Sequence, residues 1–215
     1  MLIHYLRNNK KRMISVLLAV VGMGLSLSFL IRTDLGGDPY TCMNLAISER
    51  IGLSFGHWQA LLNVLLLLVV FFCDRSLIGL GTMANMFLVG YCVDFFTWVE
   101  NLFLPEEITS LVARGLIAIP SLALFIISAA LYMCCELGVA PYDATAFLLH
   151  KGITKLPKLN KLPFRAVRIP YDFLACGICL LLGGSIGIVT VLISLFLGPV
   201  VDQIGAFLKT RKLLD

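Results

Sequence analysis

The chain has 215 residues, of which 59% are apolar and only 14% charged, with a mean hydropathy of +0.94. An ordinary soluble domain carries about a quarter charged residues, and this chain has too few polar side chains to cover a water-facing surface. A soluble fold is excluded, and the sequence reads as a multi-pass all-α membrane protein, one membrane domain over 1–215 embedded in the lipid bilayer.

The net charge of +4 is gathered rather than spread. Lys and Arg concentrate in segments 7–12, 151–168 and 209–212, none of which holds an acidic residue. Basic loops stay cytoplasmic during insertion, so both termini and the basic 151–164 loop are expected on the cytoplasmic side. Insertion accounts for these clusters without a nucleic-acid partner. The seven cysteines lie in or beside apolar runs, and their odd number argues against a disulfide framework. Cys176 and Cys179 form a C-x-x-C with no further ligands nearby, so they read as packing residues and no metal or cofactor is expected.

The first apolar run, 13–31, follows basic residues but is long enough to span and lacks a small-x-small cleavage site, which predicts an uncleaved first helix. Full-length runs recur at about 57–73, 78–98, 110–133, 166–183 and 185–206. Two apolar segments, 39–50 and 141–150, are too short. Twelve helical residues reach about 18 Å at 1.5 Å each, against a hydrocarbon core of about 30 Å. Each opens on a proline, which the first turn of a helix accepts.

An internal repeat organises these elements. Asp34-Leu35-Gly36-Gly37-Asp38-Pro39-Tyr40 returns as Glu136-Leu137-Gly138-Val139-Ala140-Pro141-Tyr142, and Ile78-Gly79-Leu80-Gly81-Thr82 returns as Ile186-Gly187-Ile188-Val189-Thr190. Gly90, Val93 and Asp94 match Gly198, Val201 and Asp202 in the same register. Repeat 1 covers about 13–100 and repeat 2 about 110–206, each reading long, short, long, long. If the short helices are re-entrant, the chain makes about six transmembrane crossings and its halves are inverted; if they cross, each half has four spans. Both counts leave the termini and the 151–164 loop on one side, so short length alone favours six crossings plus two broken elements.

Broken helices at a repeat interface are where transporters hold solutes, because freed backbone groups there become binding groups. That places Asp38, Tyr40, Tyr142 and Asp143, at the two Pro-Tyr turns, among the candidate substrate contacts. Arg165, Arg168 and Asp172 open the fifth long helix, and Arg168 and Asp172, four apart, are spaced to pair on one face. Charges at membrane depth point to function, although snorkelling to headgroups is the plainer account of the arginines. Asp94 and Asp202 occupy equivalent helix positions and either bind a cation or cap a neighbouring helix. Asn63 and Asn85 read as interhelical hydrogen-bonding residues, and Glu100, Glu106 and Glu107 as a solvated acidic connection.

The stretches Gly36-Gly37-Asp38-Pro39-Tyr40, Gly52-Leu53-Ser54-Phe55-Gly56 and Ile78-Gly79-Leu80-Gly81-Thr82, with Gly90, Asp94, Tyr171-Asp172 and Gly183-Gly184, resemble the YczE-type bacterial membrane proteins, relatives of the YitT group. The resemblance runs from about 13 to 206, and Val189 departs from it where the first half has Gly81. It implies a multi-pass protein of the bacterial cytoplasmic membrane and supports the architecture rather than a substrate. No hydrolase elbow, metalloprotease motif or phosphate-binding loop is present, so the expectation is a non-enzyme. The leading reading is a small transporter- or permease-like protein taking a small-molecule or ion substrate. The alternative is a non-transporting accessory protein that contacts a protein partner through its basic loop.

Overall fold

A computed structural model describes residues 10–104, 108–195 and 203, and the regular structure among them is entirely helical. The helices are α1 (Lys10–Thr33), α2 (Pro39–Ile51), α3 (Phe55–Cys73), α4 (Leu80–Phe103), α5 (Leu111–Cys134), α6 (Pro141–Ile153) and α7 (Phe164–Leu181). A one-turn 3-10 helix, Arg75–Leu77, links α3 to α4, and an eighth helix, α8, is described over 188–195. Among the described residues α1, α3, α4 and α5 are long and apolar enough to cross a bilayer. The 18 residues of α7 carry Arg165, Arg168 and Asp172, and residues 196–202 lie outside the described set.

Local chemistry fixes where the helices begin. Asp38 caps α2 by accepting from Thr41 N, with Pro39 at the first helical position, and Gly52 closes it in the left-handed conformation at φ 72°. Ser54 and Ser110 cap α3 and α5 through His57 N and Ala113 N. By contrast, α6 begins at Pro141 behind Ala140, which offers no side-chain cap. Both α2 and α6 have 13 residues, about 20 Å of helix, and fall short of the hydrocarbon thickness.

The core is built on α1, which packs along α4 and α5. Small residues allow this: a Cβ at Gly24 would strike Cys92 of α4, and one at Gly22 would strike Ser128 of α5. Ser28 donates to Glu100 Oε1 at 2.6 Å, and Arg32 lies 3.7 Å from Glu100 Oε2. Glu100 is therefore a buried residue of α4, and the expectation of a solvated acidic connection does not hold for it. Glu106 and Glu107 lie outside the described residues. Outward faces are lined by large apolar side chains such as Phe72, Leu116, Ile119 and Leu181, a surface that lipid satisfies and water does not.

The two turns marked by the repeated motif share a conformation and exchange partners. Asp34 and Glu136 have φ of 51° and 52°, and Gly36 and Gly138 have φ of 92° and 108°. The turn after α1 docks on the start of α8, where Val189 N donates to Leu35 O at 3.0 Å. The turn after α5 docks on the start of α4, where Gly81 N donates to Leu137 O at 2.7 Å and Val139 N donates to Leu77 O at 3.0 Å. Only glycine fits at the crossing points: a Cβ at Gly79 would run into the Leu137 carbonyl, and one at Gly187 into the Leu35 carbonyl.

Candidate functional site

The N-termini of α2 and α6 meet. The rings of Tyr40 and Tyr142, each the residue after a helix-opening proline, stack with centroids 4.3 Å apart, and Tyr171 of α7 lies 4.6 Å from Tyr142. Each hydroxyl reaches back to a long helix: Tyr40 donates to Asn63 Oδ1 of α3 at 2.8 Å, and Tyr142 to Asp172 Oδ1 of α7 at 2.9 Å. Both tyrosines are buried, so these bonds satisfy hydroxyls that have no water to turn to.

Around this stack lies a cavity of about 450 Å³, within the size range of small-molecule sites. Its polar lining includes Asp38, Tyr40, Tyr142, Asp143, Arg168 and Asp172; apolar walls come from α1, α5 and α8. The charged centre is Arg168. Its Nε donates to Asp172 Oδ2 at 3.1 Å, its Nη1 pairs with Asp143 Oδ1, and its guanidinium sits 5.0 Å from the centre of the Tyr142 ring. One guanidinium thus serves two carboxylates on different helices, in surroundings where charge-assisted bonds are strong.

The residues singled out from the sequence fall into three groups. Asp38, Tyr40, Tyr142, Asp143, Arg165, Arg168 and Asp172 all line the cavity, with Arg165 on the exposed first turn of α7. Asp94 does not: its Oδ2 accepts from Gly56 N at 3.0 Å, holding the first turn of α3 against α4. Asp202 lies outside the described residues.

Sequence reasoning passed over Gln59. It lines the cavity, is 4% exposed, and its Oε1 is buried without a hydrogen-bond partner. Counting from the helix starts would have found it. Gln59 and Arg168 each stand four residues after the first residue of α3 and α7, and Asn63 and Asp172 each eight after it. Thr41 and Asp143 each stand two after the helix-opening proline. The second half carries charge at all three places where the first half carries neutral polar groups.

Comparison with known proteins places the chain in a family and among membrane proteins. A family model described as a family of unknown function (DUF6198) matches residues 10–206. An uncharacterized protein of Haemophilus influenzae is 27% identical over 190 residues, covering 88% of this chain and 81% of that protein. The uncharacterized membrane protein YczE of Bacillus subtilis is 27% identical over 184 residues, covering 84% of this chain and 78% of its own length. No solved structure matches the chain. This is a membrane protein, and it belongs to the DUF6198 family, with YczE among its relatives.

Proposed function

We propose that the protein is a small carrier of the secondary-transporter type, without enzymatic activity, whose solute binds in the cavity where α2 and α6 meet. The observation that carries this reading is the Tyr40–Tyr142 contact. It brings the N-termini of two helices too short to cross into one charged cavity, with the ends of long helices around it. Non-spanning backbone is tolerated at membrane depth only where protein or a polar cavity surrounds it.

In this reading α1, α3, α4, α5, α7 and α8 cross, while α2 and α6 turn back, giving two inverted repeats related by a pseudo-two-fold axis near the tyrosine stack. Three features support it: the matched turns, their exchanged docking, and the opposite senses of packed helices. Gly24 and Arg32 of α1 meet Cys92 and Asn101 of α4, so these helices run parallel. Asp34, just past α1, lies 3.6 Å from Arg114 near the start of α5, so that helix runs back. With the basic segments cytoplasmic, the cavity wall formed by Phe164 and Arg165 lies toward the cytoplasm.

Two experiments test the proposal. Single cysteines at Ser54 and Ser76, in a background lacking the exposed Cys73, are expected to label from outside and inside respectively; the reverse pattern refutes the six-crossing topology. Purified protein in vesicles, screened with labelled metabolites under imposed proton and sodium gradients, is expected to take up a solute class that empty vesicles do not. Asp172→Asn should abolish that uptake. Absence of uptake across the panel, with crosslinks from the 151–164 loop capturing a defined protein, would replace the carrier by an accessory protein.

A further inference from the structure

We propose that the lobe between α6 and α7 is a docking surface for the headgroups of anionic phospholipids in the cytoplasmic leaflet, whatever solute the cavity holds. The first observation is a repeat of three residues. Lys155-Leu156-Pro157, Lys158-Leu159-Asn160 and Lys161-Leu162-Pro163 follow one another without a break. The backbone keeps the same step: Leu156 N donates to Ile153 O at 3.0 Å, Leu159 N to Leu156 O at 2.9 Å and Leu162 N to Leu159 O at 3.0 Å. Three successive turns therefore each end on a leucine with a lysine immediately before it. All three lysines are exposed, and Leu156 and Leu159 are 55% and 40% exposed beside them. No acidic residue occurs from 151 to 168. Among the described residues Lys151 pairs with Asp74 at 2.7 Å, while Lys155, Lys158 and Lys161 have no carboxylate partner.

The second observation is where the lobe is held. His150 Nε2 lies 2.8 Å from Leu162 O, so its two ends close on each other. Phe164 stacks on Phe147 with centroids 4.5 Å apart, and Lys151 ties the end of α6 to Asp74 at the turn between α3 and α4. These anchors are helix ends, and with the basic segments cytoplasmic they lie at the inner membrane surface. A lobe pinned there at both ends stays within reach of the headgroups. Water satisfies its lysines but leaves two leucines bare, and hydrocarbon satisfies the leucines but not the lysines. The headgroup layer of an anionic leaflet answers both: phosphates meet the ammonium groups, and the leucines reach the acyl boundary beneath them. Free phosphate would meet only the lysines, so the occupant is a lipid.

The test uses the full-length protein in maltoside micelles and counts bound lipid by native mass spectrometry, with phosphatidylglycerol and phosphatidylcholine of identical chains as probes. Phosphatidylglycerol is expected to bind about tenfold or more tightly, since each lysine near an anionic surface contributes about fivefold. Lys155→Gln, Lys158→Gln and Lys161→Gln together should remove that preference, and ammonium acetate at about 1 M should shrink it in the unaltered protein. Leu156→Ser with Leu159→Ser should weaken both lipids severalfold and leave the preference in place. All five side chains are exposed, so neither variant should alter unfolding in lipid-free micelles, which separates lost binding from lost fold. Glycerol 3-phosphate, which carries the charge without the chains, should compete poorly. In intact membranes a benzophenone on Asn160→Cys is expected to crosslink to phospholipid. Equal binding of the two lipids, a preference that survives the triple substitution or high salt, unchanged binding in the leucine variant, or effective competition by glycerol 3-phosphate overturns the assignment. Crosslinking to one defined protein in place of lipid overturns it as well, and gives the surface to a protein partner.

Discussion

Arg168→Gln is expected to be among the most destabilising single changes in the protein, and two further substitutions should reverse much of its effect. In the wild type the guanidinium pairs with Asp143 and Asp172, and the three side chains are 23%, 17% and 6% exposed. Removing one member of a buried pair costs about 3–5 kcal/mol, chiefly because the partner is stranded, and here two carboxylates are stranded at once. The first half of the chain shows how the same positions are filled without charge, by Gln59, Thr41 and Asn63, with Tyr40 donating to Asn63 as Tyr142 donates to Asp172. The triple variant R168Q/D143T/D172N copies that set. It forfeits charge-assisted bonds but strands no charge, only a neutral amide oxygen of the kind Gln59 already leaves unpaired in the first half, so it should be roughly 2 kcal/mol more stable than R168Q alone. Asp172→Asn by itself leaves Arg168 with Asp143 and should cost less than R168Q. Unfolding in mixed micelles, followed by Trp58 and Trp98 fluorescence, measures all three. If R168Q unfolds with the wild type, or the triple variant is no better than the single, the cluster is not a charge-balanced unit and the reasoning fails.

Gly138→Ala and Gly36→Ala should each lower stability by about 2–4 kcal/mol, because both hold positive φ and their new Cβ would meet Thr82 Oγ1 or Thr190 Oγ1. Gly177→Ala, with open space around it, should change stability by no more than about 1 kcal/mol, and the same unfolding assay separates the cases. Asp94→Ala, which uncovers Gly56 N at the start of α3, should cost about 0.5–2 kcal/mol without altering solute binding, a split that calorimetry and binding assays read separately. At the exposed turn after α3, a hydrogen bond from Lys151, then those from Ser76, hold the Asp74 carboxyl down at about 2. A folded-state pKa below the unfolded value of about 3.9 gives a contribution that is complete above that value and lost as pH falls through about 2. The melting-temperature gap between wild type and Lys151→Met should therefore be constant from about pH 5 to 8 and close as pH approaches 2; a gap that widens toward acid contradicts the pairing.

What could be read from the sequence was local, and what could not depended on contacts between distant segments. The helix-opening prolines, the glycine turns and the Arg168–Asp172 spacing are short-range patterns with short-range causes, and each appears where the residues put it. Asp143 as the second partner of Arg168 is a contact between helices 25 residues apart in the chain, and no spacing rule finds it. Glu100 misled because it stands beside Glu106 and Glu107 in sequence, while in space it faces Ser28 and Arg32 of α1. Gln59 was overlooked for a different reason. An uncharged amide in an apolar run attracts no notice until the two halves are aligned on their helix starts, which sets it opposite an arginine.

That alignment also accounts for which residues the two segments share and which they do not. Each docked turn supplies a carbonyl, Leu35 O or Leu137 O, to a helix-start N–H that has no partner within its own helix. The backbones must approach so closely there that a Cβ at Gly79 or Gly187 collides with the carbonyl, and the same glycines recur in both halves. The cavity imposes a weaker condition: its polar groups need only satisfy one another in sum. A guanidinium with two carboxylates meets that condition, and a neutral set in which the stacked tyrosine donates to an amide meets it except at Gln59 Oε1. The polar positions are accordingly free to differ as complete sets, and an exchange of one member at a time is the change that physics penalises. An unequal cavity between two similar turns is the expected result, and the helix starts show it as well: Asp38 caps α2 with its side chain, while Ala140 at the same place before α6 has none to offer.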